Sequence, residues 1–151
     1  MNAAHTTILL ADDDQNDIFL MQRAFKKVAL SNTLQVVRNG DEVVAYLSGE
    51  GEYQDRTRFP FPALVILDLK MPRKSGLEVL AWIRAQNTPV RRVPVVVLTS
   101  SKQPCDVNTA YDLGVNSYMV KPVTFEHLTE LVRSMGHFWL SLSQRPEYRA
   151  R

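Results

Sequence analysis

The sequence predicts an α/β fold, a single doubly wound (βα)5 domain in which helices cover both faces of a parallel β-sheet. Two observations support this prediction. Five short apolar runs alternate along the chain with segments whose apolar residues recur at helical spacing. Three of the runs consist almost wholly of Val, Ile and Leu, as expected of strands that are buried on both faces.

Each apolar run is followed by a helical pattern. The predicted strands cover residues 7–11, 34–37, 64–67, 93–98 and 117–120. The helical patterns lie near residues 18–28, 43–47, 77–84 and 107–113, and from 125 onward. Gly114 is a suitable left-handed residue to end the fourth helix, and Thr124 is a good N-cap for the fifth.

Two segments stand outside this alternation. Residues 49–62 contain two glycines, two prolines and five charges, which predict a long surface loop inserted before the third strand. Residues 143–151 are polar and basic, and they predict a frayed tail that is too short to form a DNA-binding module. We therefore expect one domain over residues 1–142, followed by this tail.

Composition and charge exclude several classes of protein. The 151 residues are 45% hydrophobic and 23% charged, as in an average folded domain, with no run near the ~18 apolar residues of a membrane span. The net charge of +2 is far below that of a typical nucleic-acid binder. The single Cys105 forms no internal disulfide, and the chain does not begin like a signal peptide. We expect a cytoplasmic protein that binds neither membrane nor nucleic acid.

Chemically active side chains follow the predicted strands. Asp12 and Asp13 come after the first strand, Asp68 after the third, Thr99 after the fourth and Lys121 after the fifth. Because the carboxyl ends of parallel strands share one edge of the sheet, these groups are expected to converge there. Clustered carboxylates raise each other's pKa unless a cation neutralises them, and Mg²⁺ prefers such oxygen ligands.

A metal, a free carboxylate, an ammonium and a hydroxyl are the parts needed to form an acyl phosphate. The carboxylate attacks phosphorus in line, while the metal and the lysine neutralise the equatorial oxygens. The sequence therefore predicts a carboxylate that accepts a phosphoryl group with the help of Mg²⁺.

Four segments together resemble the receiver domain of two-component response regulators. They are Asp12-Asp13, the turn Asp68-Leu69-Lys70-Met71-Pro72, Thr99 after Val-Val-Val-Leu, and Tyr118-Met119-Val120-Lys121-Pro122. The resemblance covers about residues 7–142 and implies a flavodoxin- or CheY-like five-stranded sheet with strand order 2-1-3-4-5, without an output domain. Among receivers the chain is most similar to stand-alone regulators of phytochrome-type sensor kinases, through residues 49–62, 110–116 and 138–140.

The resemblance implies a role for each matching position. Asp68 is the expected phospho-acceptor, which receives phosphate from a sensor histidine kinase. A bacteriophytochrome is one candidate for this kinase. Mg²⁺ is expected to bind Asp13 directly, Asp12 largely through water, Asp68, and the backbone carbonyl of Lys70. The protein would then be no enzyme in its own right, but a phospho-acceptor that assists its own phosphorylation and dephosphorylation.

The resemblance also implies a switch. Lys121 is expected to bridge to the phosphate and to have a cis bond to Pro122. Thr99 is expected to move its hydroxyl onto a phosphate oxygen while Tyr118 rotates inward, which changes the interaction surface formed by the fourth helix, fifth strand and fifth helix, α4-β5-α5. Taken alone, Thr99 could be an ordinary strand-end hydroxyl and Tyr118 a static core residue.

Lys70 and Ser101 lie two residues after the expected acceptor and two after the threonine. Neither offers a group that would orient an attacking water, so we expect slow loss of phosphate. Lys70 could instead shield the phosphoryl group or pair with the loop at 49–62.

The last helix is apolar around more than half of its circumference. Six residues recur at alternating spacings of three and four, namely Phe125, Leu128, Val132, Met135, Trp139 and Leu142. Leu131, Phe138 and Leu140 lie off this row. Because a large exposed apolar patch usually marks an interface, we expect a homodimer through Leu131, Met135, Phe138, Trp139 and Leu142. The alternative is that Leu131 and Phe138 pack under the preceding loop.

Three other functions fit parts of the pattern. One is a phosphatase with an aspartate nucleophile, although Lys70 stands where that class has a second acid. Another is a receiver fold that no longer accepts phosphate and acts as a scaffold. The third is a flavin-binding doubly wound protein, although acids occupy the place of a phosphate-binding loop.

Overall fold

The computed structural model describes residues 6–30, 32–144 and 146 of the chain. Strands and helices alternate along these residues, as the sequence predicts. The strands are β1 Thr7–Ala11, β2 Thr33–Val37, β3 Leu64–Leu67, β4 Val95–Thr99 and β5 Ser117–Val120. The α-helices are α1 Gln15–Lys27, α2 Gly40–Ser48, α3 Gly76–Arg84, α4 Pro104–Asp112 and α5 Phe125–Met135. Short 3₁₀ turns occupy Gly51–Gln54 and Pro89–Arg92.

The strands form one parallel sheet in the order β2-β1-β3-β4-β5, which confirms the predicted order. The last residues of β1 and β3 pair with each other, so Asp12 and Asp68 leave the sheet side by side. The last residues of β4 and β5 also pair, so Lys121 emerges beside Thr99. The register therefore brings the active groups to one edge.

Both faces of the sheet are covered by helices. Alternate strand residues point to opposite faces. Leu9 and Val65 join a cluster with α2, α3 and α4, whereas Ile8 and Ile66 join a cluster with α1 and α5. Because both faces are filled with apolar side chains, polar chemistry is confined to the ends of the strands.

Two predicted boundaries move in the structure. β4 begins at Val95 instead of residue 93, because Pro94 has no backbone N–H to donate to the ladder. α4 begins earlier than predicted, with Pro104 in the first turn, where a missing N–H costs nothing. The predicted caps are confirmed: Thr124 accepts from the backbone N–H of His127, and Gly114 has a left-handed φ of 94°.

The connection after α2 is fastened by one arginine. The Arg56 guanidinium donates to the carbonyls of Tyr46, Leu47 and Phe59 at 2.8, 3.1 and 3.2 Å. The Tyr46 hydroxyl donates to Pro60 at 2.8 Å. These bonds satisfy carbonyls at the C-terminal end of α2 and hold the following loop against it.

The end of the chain departs from the predicted row of apolar residues. α5 continues directly into a π-helical segment, Gly136–Leu142, which changes the face on which later side chains lie. Met135, predicted at the dimer surface, is only 5% exposed and belongs to the core; Leu140, predicted off the row, is also buried. Phe138 and Leu142 are 52% and 61% exposed, while Leu131 and Trp139 are half-buried.

The predicted tail at residues 143–151 lies largely outside the described residues, which include only 143, 144 and 146 of it. Across the described helices, none is long and apolar enough to cross a membrane.

Candidate functional site

Three carboxylates converge where β1 and β3 end. Asp12 and Asp68 are buried and Asp13 is exposed, and one oxygen of each lies within 4.8 Å of the others. The backbone N–H groups of Asp14 and Lys70 donate to Asp12 and Asp68 at 2.9 and 3.4 Å. An oxygen-only donor set that is open to solvent on one side suits a hard divalent cation such as Mg²⁺.

The Lys121 ammonium lies inside this acidic cluster. Its Nζ is 3.0 Å from Asp12 Oδ2, 2.9 Å from Asp68 Oδ2 and 2.7 Å from Asp17 Oδ2. Burial alone would lower the pKa of Lys121, but its hydrogen bonds to Asp17, Asp68 and Asp12 outweigh burial and raise that pKa. Lys121 is therefore a fixed positive charge at the edge of the sheet.

Crowding leaves one carboxylate poorly stabilised. Burial, with a smaller contribution from the neighbouring Asp68, raises the pKa of Asp12 to about 6 against the lowering effect of the Asp14 N–H and Lys121. A single ammonium thus does not compensate all the acids that surround it. A divalent cation would supply the missing positive charge, so the residues present fit Mg²⁺.

Asp17 is a member of the site that sequence reasoning missed. Asp14 caps α1, because its Oδ1 accepts the N–H groups of Asn16 and Asp17 at 2.9 and 3.1 Å. This cap fixes the first turn of α1, from which Asp17 reaches Lys121. An acid three residues after an N-cap was the available signal, but acids are common in the first turn of helices because they complement the helix dipole, so the position alone does not indicate a site.

The buried hydroxyl of Thr99 lies at the same edge of the sheet as these charges. Thr99 is fully buried at the end of β4, and its Oγ1 has no hydrogen-bond partner, the one such buried side-chain atom found across the described residues. Leaving a buried hydroxyl unpaired costs about 1–3 kcal/mol. Such a group can therefore gain free energy when an oxygen acceptor arrives.

The half-buried Tyr118 closes the site on the side of α4. Its hydroxyl donates to the carbonyl of Ser101 at 2.9 Å, and burial raises its pKa. The Ser101 hydroxyl donates to Asp106 at 2.5 Å and accepts from the Gln103 N–H at 3.3 Å. The loop between β4 and α4 is thus held to both β5 and α4.

Comparison with protein families separates the receiver fold from the phosphatase considered above. The model of the response regulator receiver domain matches residues 8–133. This chain belongs to that family. It is therefore a receiver domain of a response regulator and no member of the aspartate-nucleophile phosphatases.

Several response regulators are similar to this chain over most of their length. Response regulator Rcp1 of Synechocystis sp. (strain ATCC 27184 / PCC 6803 / Kazusa) is 39% identical over 139 residues, 92% of each chain. Its Mn²⁺-bound crystal structure has a TM-score of 0.83 and 37% identity, over 94% of this chain and 99% of that one.

Two further solved structures share the fold. The phosphorylated cyanobacterial phytochrome response regulator RcpA has a TM-score of 0.86 and 38% identity, over 95% of this chain and 99% of that one. The bacteriophytochrome response regulator RtBRR has a TM-score of 0.74 and 42% identity, over 94% and 84%. The predicted CheY-like fold is confirmed.

Of three further expectations for this receiver, one is wrong and two stay predictions. The described residues contain no cis peptide bond, so the expected cis bond between Lys121 and Pro122 is wrong. A trans bond, which X–Pro pairs favour by about 0.5–1 kcal/mol, already lets Lys121 reach Asp68. Lys70 is exposed, and its carbonyl as a metal ligand stays a prediction, as does slow loss of phosphate.

Proposed function

We propose that Asp68 accepts a phosphoryl group from a phosphohistidine of a sensor histidine kinase. One Asp68 oxygen attacks phosphorus, the P–N bond breaks, and its electron pair returns to the histidine nitrogen of the donor. The observation that carries the proposal is the position of Asp68, where a buried carboxylate meets both the Lys121 ammonium and the acidic cluster.

The acidic cluster supports a cation requirement for this step. Asp12, Asp13 and Asp68, with the Lys70 carbonyl, would hold Mg²⁺. When bound, the ion supplies positive charge to the phosphoryl oxygens during transfer. Lys121 stabilises a phosphoryl oxygen as well, because its ammonium is already fixed beside Asp68. Through these groups the domain assists its own phosphorylation and dephosphorylation.

The unpaired Thr99 hydroxyl supports the proposed switch. A phosphoryl oxygen on Asp68 offers Thr99 the acceptor that it lacks, so Thr99 moves toward the phosphate. Tyr118 follows because it borders the same loop through Ser101. The signal then passes to the surface formed by α4, β5 and α5 as a change in protein contacts.

The partners proposed are a phytochrome-type sensor kinase and a second copy of this chain. The kinase class is supported by the similarity to RcpA and RtBRR, which are phytochrome and bacteriophytochrome response regulators. The homodimer is supported by the exposed Phe138 and Leu142, with Leu131 and Trp139 beside them; Met135 contributes to the core instead.

Intact-mass spectrometry tests the proposed function. The wild type and Asp68→Asn are incubated with acetyl phosphate, with and without Mg²⁺, and then with phosphorylated sensor kinases. We expect the mass of one phosphoryl group on the wild type with Mg²⁺ only, and none on the variant. A wild type that stays unmodified by every donor would contradict the proposal and favour the scaffold.

A further inference from the structure

We propose that Asp17 is a positioning residue for phosphorylation: it holds Lys121 in the unphosphorylated protein and must yield this ammonium to the phosphoryl group on Asp68. The inference rests on the proposed function, and it adds a residue of α1 to the site. Of the three carboxylates around Lys121, Asp17 makes the shortest contact, at 2.7 Å.

The hydrogen bonds of Lys121 leave no donor free. An ammonium has three N–H donors, and three carboxylate oxygens lie within 3.0 Å of this one. A phosphoryl oxygen can therefore bind Lys121 only when one of the three acids gives up its contact.

Asp17 is the acid that can leave at the lowest cost. The Asp12 side chain is 5% exposed, so losing Lys121 would leave its carboxylate buried without a counter-ion. The Asp68 side chain is 9% exposed, and the phosphoryl group that it accepts needs Lys121 for the negative charge it brings. The Asp17 side chain is 35% exposed, so water can replace the ammonium there. Asp17 also lies outside the cluster that could hold a cation, which therefore does not constrain it.

The surroundings of the ion pair leave room for this exchange. A small pocket adjoins Asp17 and Lys121 between α1 and α5, lined by Leu10, Leu20, Met21, Leu98, Pro122 and Leu128. The lysine stem can therefore shift without displacing a packed side chain.

The negative charge of Asp17 opposes phosphorylation of Asp68, as its contact with Lys121 does. The carboxylates of Asp17 and Asp68 bind the same nitrogen, so a phosphoryl group on Asp68 arrives close to a second negative charge. Competition for Lys121 and repulsion of the phosphoryl group both favour the unphosphorylated state. Removing the charge of Asp17 should therefore increase affinity for a phosphoryl group.

Binding of beryllofluoride, a phosphoryl analogue, tests this inference by calorimetry in Mg²⁺. Asp17→Asn should bind beryllofluoride roughly two- to fivefold more tightly than the wild type, the range expected for a partly exposed ion pair. Asp17→Glu restores the carboxylate and should return affinity toward the wild-type value. Asp17→Ser carries the same test if the asparagine variant does not fold.

Asp14→Asn is the matched control. It removes the same charge from the same turn and keeps an N-cap side chain for α1, and Asp14 is not one of the three acids that contact Lys121. We expect its affinity to stay close to that of the wild type.

Every other outcome overturns either the inference alone or the proposed function together with it. Unchanged or weaker binding by Asp17→Asn, beside a wild type that binds, overturns the inference alone. An equal gain in Asp14→Asn shows an unspecific charge effect and also overturns it. A wild type that binds no beryllofluoride overturns the proposed function, and the inference with it.

Discussion

Two cations at opposite ends of the sheet differ in how well their hydrogen-bond partners match them. At the carboxyl end, Lys121 is shared by three carboxylates, and next to it the Thr99 hydroxyl has no partner. At the amino end of β4 and β5, Arg84 donates to the carbonyls of Gly114, Arg91 and Val93 and to the side chain of Asn116, at 2.7–3.0 Å. The first cation has more acids than it can neutralise, and the second has matched acceptors.

The difference separates switching from stability. Asn116 also accepts the N–H of Val95 at 2.8 Å, so Arg84 ties α3 to the start of both strands through a satisfied network. Such networks resist rearrangement. In the proposed function, the polar groups at the crowded carboxyl end find full partners only when a cation and a phosphoryl group bind.

Removing Arg84 should have the largest effect on stability and none on phosphorylation. Arg84→Ala leaves the carbonyls of Gly114, Arg91 and Val93 without this donor and Asn116 with only one of its two donors, so we expect the free energy of unfolding to fall by about 2–4 kcal/mol in urea titrations. Arg91→Ala is the control, because that side chain is exposed, and it should cost less than about 0.5 kcal/mol. Equal effects of the two substitutions would break the comparison.

The groups at the carboxyl edge could be predicted because strand order and strand ends follow from local sequence. Apolar runs place Asp12, Asp68 and Thr99 at the ends of parallel strands, and the register of the sheet brings these strand ends side by side. Asp17 could not be predicted in the same way. Its contact depends on how α1 packs on the sheet, which a helical pattern does not specify.

The prediction for the last helix is wrong for a related reason. A row of apolar residues at spacings of three and four assumes a continuous α-helix, whereas the π-helical segment turns Leu140 into the core. Gly136, where this segment begins, lies so close to Leu30 that an added Cβ would be 3.0 Å from that side chain. Such a close approach is a tertiary property without a signature in the local pattern.

Tyr46, like Arg84, is a polar side chain whose hydrogen-bond acceptor is present in the structure, so it belongs to the satisfied side of the comparison. Burial raises its pKa to about 12 from the usual 10, so between these values the folded protein keeps a proton that the unfolded chain releases. Stability should therefore fall as the pH rises from 10 to 12, by roughly 2–3 kcal/mol from this group.

The measurement is the free energy of unfolding of the wild type and Tyr46→Phe across this pH range. Other tyrosines titrate in both proteins, so the difference isolates Tyr46. We expect the variant to be less stable by about 1 kcal/mol at pH 8, where it lacks the bond to Pro60, and to become more stable than the wild type by about 1–2 kcal/mol at pH 12. Parallel curves would show that Tyr46 does not carry this dependence.

Thr99 gives the smallest expected change in stability, and its sign is opposite to that at Arg84. Thr99→Val replaces an unpaired hydroxyl by a methyl group of similar shape, so the metal-free protein should gain about 1 kcal/mol in unfolding free energy. The same variant should bind beryllofluoride more weakly, because the hydroxyl proposed to meet the phosphoryl oxygen is gone.

Thr129 supplies the matched control for this sign. It is also buried, but its hydroxyl donates to the Phe125 carbonyl at 2.9 Å, so Thr129→Val removes a satisfied bond and should cost up to about 1 kcal/mol. Opposite signs for the two threonines would show that the unpaired hydroxyl is a cost of the resting state that phosphorylation relieves. A loss of stability in Thr99→Val as large as that in Thr129→Val would mean that Thr99 is already satisfied, and that its hydroxyl gains nothing from the phosphoryl group.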